Sequence, residues 1–352
     1  MSKIAFVVVL LIILINLSCI DGRADARSLG ESSRFGIDYV FPLDPAYQNK
    51  PYAQELAKTG AGWVNFADVR WQFLEPQKPF RGKHNYKWNK LDKAIKHWQQ
   101  HGFQITITFR TGKGWFSGPV SFNPEAPGFL KVMQKSADRL PAPEHMGDFR
   151  LFFRTMVERY DGDGKDDMPG LQGPVLHYQI GNEYGNPVFW AGSIDEYLTL
   201  LRTASEEAKK ACAEVKIITN GMRTNDMFHD DPQGVNLDKN IEKFLPNLEP
   251  LYQKVWLRGR DLEDRMLAQK GVYDIVDAGG NGSWHTTSCG YYRFVESELK
   301  KFGVSAEIWD MESRCEPLLI PIKTTHAHME LGIPNGKKII KWMKERLNKN
   351  HK

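Results

Sequence analysis

Short apolar stretches alternate with longer amphipathic stretches along most of the chain. The short stretches are rich in β-branched and aromatic residues, which is typical of buried strands, and the longer ones repeat apolar residues at helical spacing. Strands that alternate with helices in this way predict a parallel sheet with helical crossovers. The pattern predicts seven strands, at residues 35–41, 62–66, 103–109, 175–180, 215–220, 273–277 and 306–311.

Amphipathic helices are predicted between these strands. In residues 86–101 the apolar side chains of Leu91, Ile95 and Trp98 recur at helical spacing, and residues 194–213 show the same repeat. Each helix is expected to bury one apolar stripe against the sheet.

The fold class that follows is α/β, of the (β/α)8 TIM-barrel type, in which eight strands are each followed by a helix. After the seventh predicted strand the one clear helix is at residues 335–348, and no strand pattern follows it. Two alternatives remain for the end of the barrel. Either residues 318–322 form an irregular eighth strand, or the last β/α unit is absent, and the sequence favours the second alternative.

The N-terminus has the pattern of a signal peptide. Lys3 precedes an apolar run at residues 4–15, after which small and polar residues follow. The run is shorter than the about 20 residues that cross a bilayer, and no later stretch approaches that length. We therefore expect residues 1–26 to direct export and expect no membrane span. Acylation of Cys19 is the weaker alternative, because a polar Asn stands three residues before it.

Composition and charge fit one exported domain at residues 27–352, since barrels of about 250 residues or more fold as single units. Lys and Arg total 47 against 43 Asp and Glu, and over most of the chain they are scattered. Nucleic acid is therefore not an expected partner. Three cysteines follow the signal segment and allow at most one disulfide, for which Cys289 with Cys315 is favoured over a pair with Cys212.

A long connection at residues 111–143 is rich in Pro, Gly and Phe. It is longer than an ordinary connection between a strand and a helix, and such loops in compact domains are commonly functional. We expect it to cover part of a cleft.

Two glutamates follow predicted strands. The strand at 175–180 leads into Asn182 and Glu183, and the strand at 306–311 leads into Glu312. In a parallel barrel all strands end at one face, where barrel enzymes have their active sites. Two carboxylates that face each other across a cleft are what glycosidic bond cleavage requires.

These segments resemble clan A glycoside hydrolases, the (β/α)8 superfamily that includes cellulases, β-galactosidases, β-mannanases and β-xylosidases. The resemblance is carried by Gly-Asn-Glu-Tyr at 181–184 and by Trp-Asp-Met-Glu-Ser at 309–313. It extends to Arg-Trp-Gln-Phe-Leu-Glu-Pro at 70–76 and covers nearly the whole mature chain up to Glu312.

The resemblance implies a retaining glycosidase that acts on an oligo- or polysaccharide without a cofactor or a catalytic metal. Glu183 is then the acid/base, Glu312 the nucleophile, Asn182 a partner of the sugar 2-hydroxyl and Arg70 a cation near the nucleophile. Further expected substrate-site residues are Tyr184, Trp284 and His285, which orient the carboxylates, and Trp115, Trp190 and Phe116, which stack on sugar faces. A packed core role is the alternative for the three tryptophans and for His285.

Functions of other classes compete with this one. A catalytically inactive barrel that binds carbohydrate or a protein partner is the first alternative, because a fold does not establish activity. A metal-dependent barrel enzyme ranks last, since the strand ends lack converging His and Asp ligands. Residues 161–167 resemble a calcium loop, but a solvated turn explains them as well, and no metal site is predicted there.

Overall fold

The computed structural model describes residues 36–44, 52–58, 61–121, 136–220, 246, 250–277 and 299–309. Within these residues seven strands form one sheet in chain order, and every neighbouring pair is parallel. The strands are β1 Gly36–Val40, β2 Trp63–Arg70, β3 Gln104–Arg110, β4 His177–Ile180, β5 Lys216–Ile218, β6 Ile275–Asp277 and β7 Glu307–Trp309. The predicted strands and their parallel arrangement are confirmed.

The sheet curls into a half-barrel. Among the described strands, pairing runs from β1 to β7 and does not return to β1. The α/β class and the parallel sheet of the prediction are thus confirmed, and the described strands form a half-barrel. The segments at 318–322 and 335–348, which decide between an irregular and an absent last unit, lie outside the described residues.

Helices lie between the strands, as predicted. Those of the described residues are α1 Tyr52–Ala57, α2 Trp71–Leu74, α3 Asn89–Gln99, α4 Met146–Glu158, α5 Ile194–Ala211 and α6 Pro250–Leu267. The helix that was predicted to begin at residue 86 begins at Asn89, so Tyr86 and Trp88 lie before it. Their rings pack on Phe152 of α4, at centroid distances of 5.5 and 5.6 Å.

Strand β2 extends further than its sequence pattern predicts. The pairing register with β3 shifts between Phe66 and Val69, and Asp68 has a left-handed φ of +65°. Bulges of this kind bend a strand and are frequent beside active sites. Pairing with β3 resumes after the bulge, at Val69, and the strand continues to Arg70.

A layer of aromatic side chains joins the helices to the sheet. Phe109 of β3 contacts Phe149, Phe152 and Phe153 of α4, with ring centroids 6.1, 6.0 and 5.0 Å away, and all four side chains are fully buried. Because protein interiors are close-packed, this layer fixes the carboxyl ends of the strands on which the candidate site lies.

The remaining predictions concern the signal segment, the cysteines and a membrane span. The signal segment 1–26, Cys289 and Cys315 lie outside the described residues. Cys212 is a buried free thiol. In the described part of the chain, no helix has both the length and the apolar character that a bilayer crossing needs.

Candidate active site

Charged and polar residues collect at the carboxyl ends of the parallel strands. Arg70 ends β2, Arg110 ends β3, Asp277 ends β6, and Glu183 and Asn220 follow β4 and β5. Because the strands are parallel, these residues lie along one edge of the sheet. This is the edge at which (β/α) barrels bind and transform their substrates.

The turn after β4 holds Glu183 in an uncommon backbone conformation. Glu183 has a φ of +47° and is 2% exposed, and its carbonyl accepts a hydrogen bond of 2.8 Å from the amide of Asn186. A left-handed conformation costs a non-glycine residue roughly 1–2 kcal/mol. Such residues cluster at functional sites, where the surrounding structure holds them in place.

Gly181 opens this turn and tolerates no side chain. Its φ is +84°, and a Cβ built on it overlaps the ring of Tyr184. The amide of Gly181 donates to the carbonyl of Phe109 in β3, at 2.8 Å. The turn that carries Glu183 is therefore fixed to the neighbouring strand and to the ring that follows Glu183.

Asp138 connects this turn to the loop after β3. Its carboxylate accepts hydrogen bonds from Arg110 Nε at 2.7 Å, from the Tyr184 hydroxyl at 2.9 Å and from the Gly112 amide at 2.8 Å. Asp138 is fully buried. Burial and the Asp138 carboxylate raise the pKa of Tyr184 well above its usual value, so the phenol keeps the proton that it donates.

Arg110 carries the network on to strand β2. Its Nη1 donates to Asp68 Oδ1 at 2.8 Å, and the same oxygen accepts from Arg70 Nε at 2.6 Å. Burial lowers the pKa of an arginine, but the carboxylates of Asp138 and Asp68 outweigh it and raise the pKa of Arg110 above its usual range. Two arginines and two aspartates thus form one connected set of charges at this edge.

The predicted sugar-stacking rings differ in their exposure. Trp190 and Phe116 are fully buried: Trp190 stacks on Tyr184 with centroids 4.7 Å apart, and Phe116 stacks on Trp71 at 3.7 Å. Because a ring needs an open face to receive a sugar, the stacking role expected for Trp190 and Phe116 is corrected to a core role. Tyr184 is equally buried, and its hydroxyl binds Asp138.

Trp115 is partly exposed in the loop that was predicted to cover a cleft. Its indole Nε1 donates to the carbonyl oxygen of Glu75 at 3.0 Å, and its ring meets His145 edge-on at 4.9 Å. Glu75 is fully buried, and burial raises the pKa of its carboxyl against the hydrogen bonds from Trp71 and His84. The substrate contact expected for Trp115 stays a prediction.

The remaining predicted site residues are placed as follows. Arg70 is partly exposed at the end of β2, and Asn182 is partly exposed beside Glu183. Glu312, Trp284 and His285 lie outside the described residues. Of the predicted set, the structure therefore brings Arg70, Asn182, Glu183 and Tyr184 to one edge of the sheet.

Sequence reasoning missed Asp68, Arg110 and Asp138. Arg110 has a recognisable signal, since it ends the apolar strand β3 as Arg70 ends β2. Asp138 lies within the long loop, where no local pattern distinguishes it from other polar residues. Its role follows only from the three groups that it binds.

The acidic loop at 161–167 lies before β4, at the opposite edge of the sheet. Oxygens of Asp161, Asp163 and Asp167 lie within 4.8 Å of one another. Backbone amides of the loop donate to Asp163 and Asp167, including Gly164 to Asp167 at 2.8 Å. Burial, with the charges of Asp163 and Asp167, raises the pKa of Asp161 to about 7. These hydrogen bonds account for a self-contained turn.

Comparisons with solved structures find glycoside hydrolases at low identity. A glucosidase from Croceicoccus marinus is 14% identical, over 83% of this chain and 54% of that one, with a TM-score of 0.43. A family 39 β-xylosidase from Caulobacter crescentus is 12% identical over 78% and 52%, with a TM-score of 0.44. A family 39 glycoside hydrolase from Bacteroides cellulosilyticus WH2 is 18% identical over 56% and 32%, with a TM-score of 0.35.

The chain spans between a third and just over a half of the length of these three proteins. No protein-family model and no curated protein matches the sequence. A fold hosts many functions, and the residues of the site decide which of them a protein has.

Proposed function

We propose that this protein is a retaining glycoside hydrolase that cleaves β-glycosidic bonds in an oligo- or polysaccharide. The observation that carries the proposal is the placement of Glu183. It follows the fourth strand at the carboxyl edge of the sheet, buried and in a left-handed conformation, with the amide side chain of Asn182 beside it.

The nucleophile proposed is Glu312. Strand β7 ends at Trp309 and is connected through parallel neighbours to β4, so the chain that leads to Glu312 leaves the sheet at the edge where Glu183 lies. A second glutamate that follows the seventh strand, as Glu183 follows the fourth, is the arrangement that the resemblance to clan A enzymes implies.

The reaction would proceed in two displacements. Protonated Glu183 gives its proton to the glycosidic oxygen while the carboxylate of Glu312 attacks the anomeric carbon, and the bond to the leaving group breaks. Glu183, now ionised, removes a proton from water, which attacks the same carbon and releases the sugar and Glu312. The network from Asp68 to Asp138 would hold the Glu183 turn in place through both steps.

The first test is hydrolysis of aryl β-glycosides of glucose, galactose, mannose and xylose by the mature protein. Glu183→Gln is expected to lose about 10²–10⁴-fold in kcat on substrates whose leaving group needs a proton, because general acid catalysis contributes that much. With a dinitrophenyl leaving group, which needs no proton, the first step of Glu183→Gln survives. Glu312→Gln loses activity on both kinds of substrate.

Glu214→Gln is the matched control, since Glu214 is exposed before β5, at the other edge of the sheet. It should hydrolyse every substrate at the rate of the unaltered protein. Hydrolysis that survives in Glu312→Gln would remove Glu312 from the mechanism. Retention of sugar binding without any hydrolysis would favour the inactive carbohydrate-binding barrel instead.

We also propose that residues 1–26 direct export of the protein. The pattern of a short apolar run after Lys3 supports this. N-terminal sequencing of the protein recovered from the medium or periplasm of an expressing cell should begin near residue 27. A protein that retains Met1 and stays in the cytoplasm contradicts the proposal.

A further inference from the structure

A cavity of about 870 Å³ opens beside the carboxyl ends of β1 and β2. Asp44 on its wall follows β1, Asp68 belongs to β2, and Phe73 lies in α2. Tyr86, which precedes α3, and Lys90, in the first turn of α3, also line it. The volume lies within the range of about 300–1,000 Å³ that is typical of small-molecule sites.

The cavity is connected to the candidate active site. Its wall residue Asp68 binds Arg110 at 2.8 Å, and Arg110 binds Asp138 at 2.7 Å. Asp138 in turn accepts from the hydroxyl of Tyr184, the residue that follows Glu183. A continuous chain of hydrogen-bonded side chains therefore runs from the cavity wall to the turn that holds Glu183.

The lining combines an open aromatic face with hydrogen-bonding groups. The side chain of Phe73 is 48% exposed, and the Arg70 guanidinium lies 5.7 Å from its ring centroid. Asp44, Asn85 and Lys90, whose side chains end in a carboxylate, an amide and an ammonium group, also line the cavity. A pyranose ring presents apolar C–H groups on its faces and hydroxyls at its edge, so it matches an aromatic face bordered by polar groups.

The charged side chains that line the cavity favour a neutral ligand. Two lysines, Lys87 and Lys90, and two aspartates, Asp44 and Asp68, line the cavity. Lys87 donates to Asn85 Oδ1 at 3.1 Å and Lys90 to the carbonyl of Leu43 at 3.4 Å, so both ammonium groups already bind neutral acceptors. Among the described residues of the lining, positive and negative side chains are therefore equal in number, which favours a neutral ligand over a strongly charged one.

We propose that this cavity is a sugar-binding subsite, in which Phe73 stacks on a neutral pyranose unit next to the one that is cleaved at Glu183. The inference rests on the proposed glycosidase function and adds a substrate class to it: oligosaccharides of at least two neutral sugar units. Aryl monosaccharides leave the cavity empty, whereas disaccharide glycosides fill it.

The test compares aryl glycosides of xylose, glucose, mannose and galactose with those of xylobiose, cellobiose, mannobiose and lactose. In the unaltered protein kcat/KM is expected to be at least about tenfold higher for the disaccharide of the accepted sugar, a factor that one well-formed ring contact supplies. Phe73→Ala should reduce this preference about tenfold, and Phe73→Tyr, which keeps the flat face, should retain it.

Phe80→Ala is the matched control. Phe80 is an aromatic residue of the same connecting segment, is 75% exposed and has the guanidinium of Arg81 5.2 Å from its ring centroid, but it does not line the cavity. It should leave the disaccharide preference unchanged. Equal losses in Phe73→Ala and Phe80→Ala, or no loss in Phe73→Ala, overturn the subsite.

Calorimetric binding of the same four disaccharides separates this inference from the proposed function. If no aryl glycoside is cleaved but a disaccharide binds and Phe73→Ala weakens its binding about tenfold, the hydrolase proposal fails and the subsite stands. If a monosaccharide glycoside is cleaved without any disaccharide preference, the subsite fails and the hydrolase proposal stands. Absence of both hydrolysis and binding overturns both.

Discussion

Asp138 shows at the scale of one residue how the candidate site is held together. It takes hydrogen bonds from the loop after β3 and from the residue next to Glu183, and it is fully buried. A buried charge that loses its partner is costly, whereas a buried pair that is complete gains little over apolar packing. Asp138 is therefore needed more for the geometry of the Glu183 turn than for net stability.

Asp138→Asn is expected to lower the free energy of unfolding by about 3 kcal/mol, because it leaves the buried Arg110 with only the partly exposed carboxylate of Asp68. The same variant should have a reduced kcat, since the hydroxyl of Tyr184 then binds a weaker acceptor. Urea unfolding measures the first effect. Asp195→Asn is the control: Asp195 also pairs with an arginine, but its side chain is 76% exposed, and the loss should stay below about 1 kcal/mol.

Asp161 makes the stability of the fold depend on pH. Its pKa is raised to about 7 by burial and by neighbouring carboxylates, so the folded protein holds a proton that the unfolded chain releases near pH 4. Stability from this group is present below pH 4 and is lost as the pH rises through about 7. Asp161→Asn should lose that slope and melt at or above the temperature of the unaltered protein at pH 8.

A calcium ion bound in this loop would instead stabilise the folded protein at high pH. An ion among Asp161, Asp163 and Asp167 would favour their ionised forms, so calcium at pH 8 would raise the melting temperature of the unaltered protein and not that of Asp161→Asn. Thermal melts with calcium and with a chelator therefore decide between a cation site and a self-contained turn.

At the scale of elements, two turns with a left-handed glycine differ in how closely they are packed: Gly181 follows strand β4, and Gly102 lies between helix α3 and strand β3. Gly181 and Gly102 have the same φ of +84°, yet a Cβ on Gly102 meets no atom within 4 Å, whereas a Cβ on Gly181 overlaps the Tyr184 ring. Gly102→Ala should cost about 1 kcal/mol for the left-handed conformation alone. Gly181→Ala should cost more and should reduce kcat, because Tyr184 and Glu183 have to move.

Urea unfolding and steady-state kinetics on both alanine variants test this pair. Equal losses of stability, with full activity in both, would show that the turn after β4 tolerates displacement. Such a result would contradict the rigid placement of Glu183 on which the proposed function depends.

The elements themselves are largely predictable from the sequence, for a physical reason. Strand β3 is an example: apolar residues alternate with the β-branched Thr106 and Thr108, and residues 105–110 are all buried, so no solvated residue interrupts the signal. Helix starts are less predictable, since Tyr86 and Trp88 continue the apolar spacing of α3 without being helical. The bulge in β2 escapes prediction because Asp68 is placed by Arg110, a residue 42 positions away in the chain.

The site is predictable only in part. Glu183 is found because its position after a strand is encoded locally. The exposure of a ring depends on which segments pack over it, so the family resemblance suggested a sugar contact for Trp190 and Phe116, whereas Tyr184 and Trp71 cover these rings. Asp138 is positioned by tertiary contacts and carries no local motif.

At the scale of the whole molecule, the two proposed catalytic carboxylates follow strands that are not neighbours in the sheet. β4 and β7 are separated by two strands, β5 and β6, in a sheet that curls into a half-barrel. Retaining glycosidases hold their two carboxyl groups about 5–5.5 Å apart, and inverting enzymes about 6.5–9.5 Å apart to admit a water molecule.

Stereochemistry of the product therefore reports the separation of the two carboxyl groups. The proposed mechanism predicts retention, because the carboxylate of Glu312 attacks the anomeric carbon directly. Proton NMR recorded during hydrolysis of a β-glycoside should show the β-anomer of the released sugar first, with the α-anomer appearing only by mutarotation. If the α-anomer appears first, water enters between the two carboxyl groups, Glu312 acts as a base, and the two groups lie further apart than a retaining site allows.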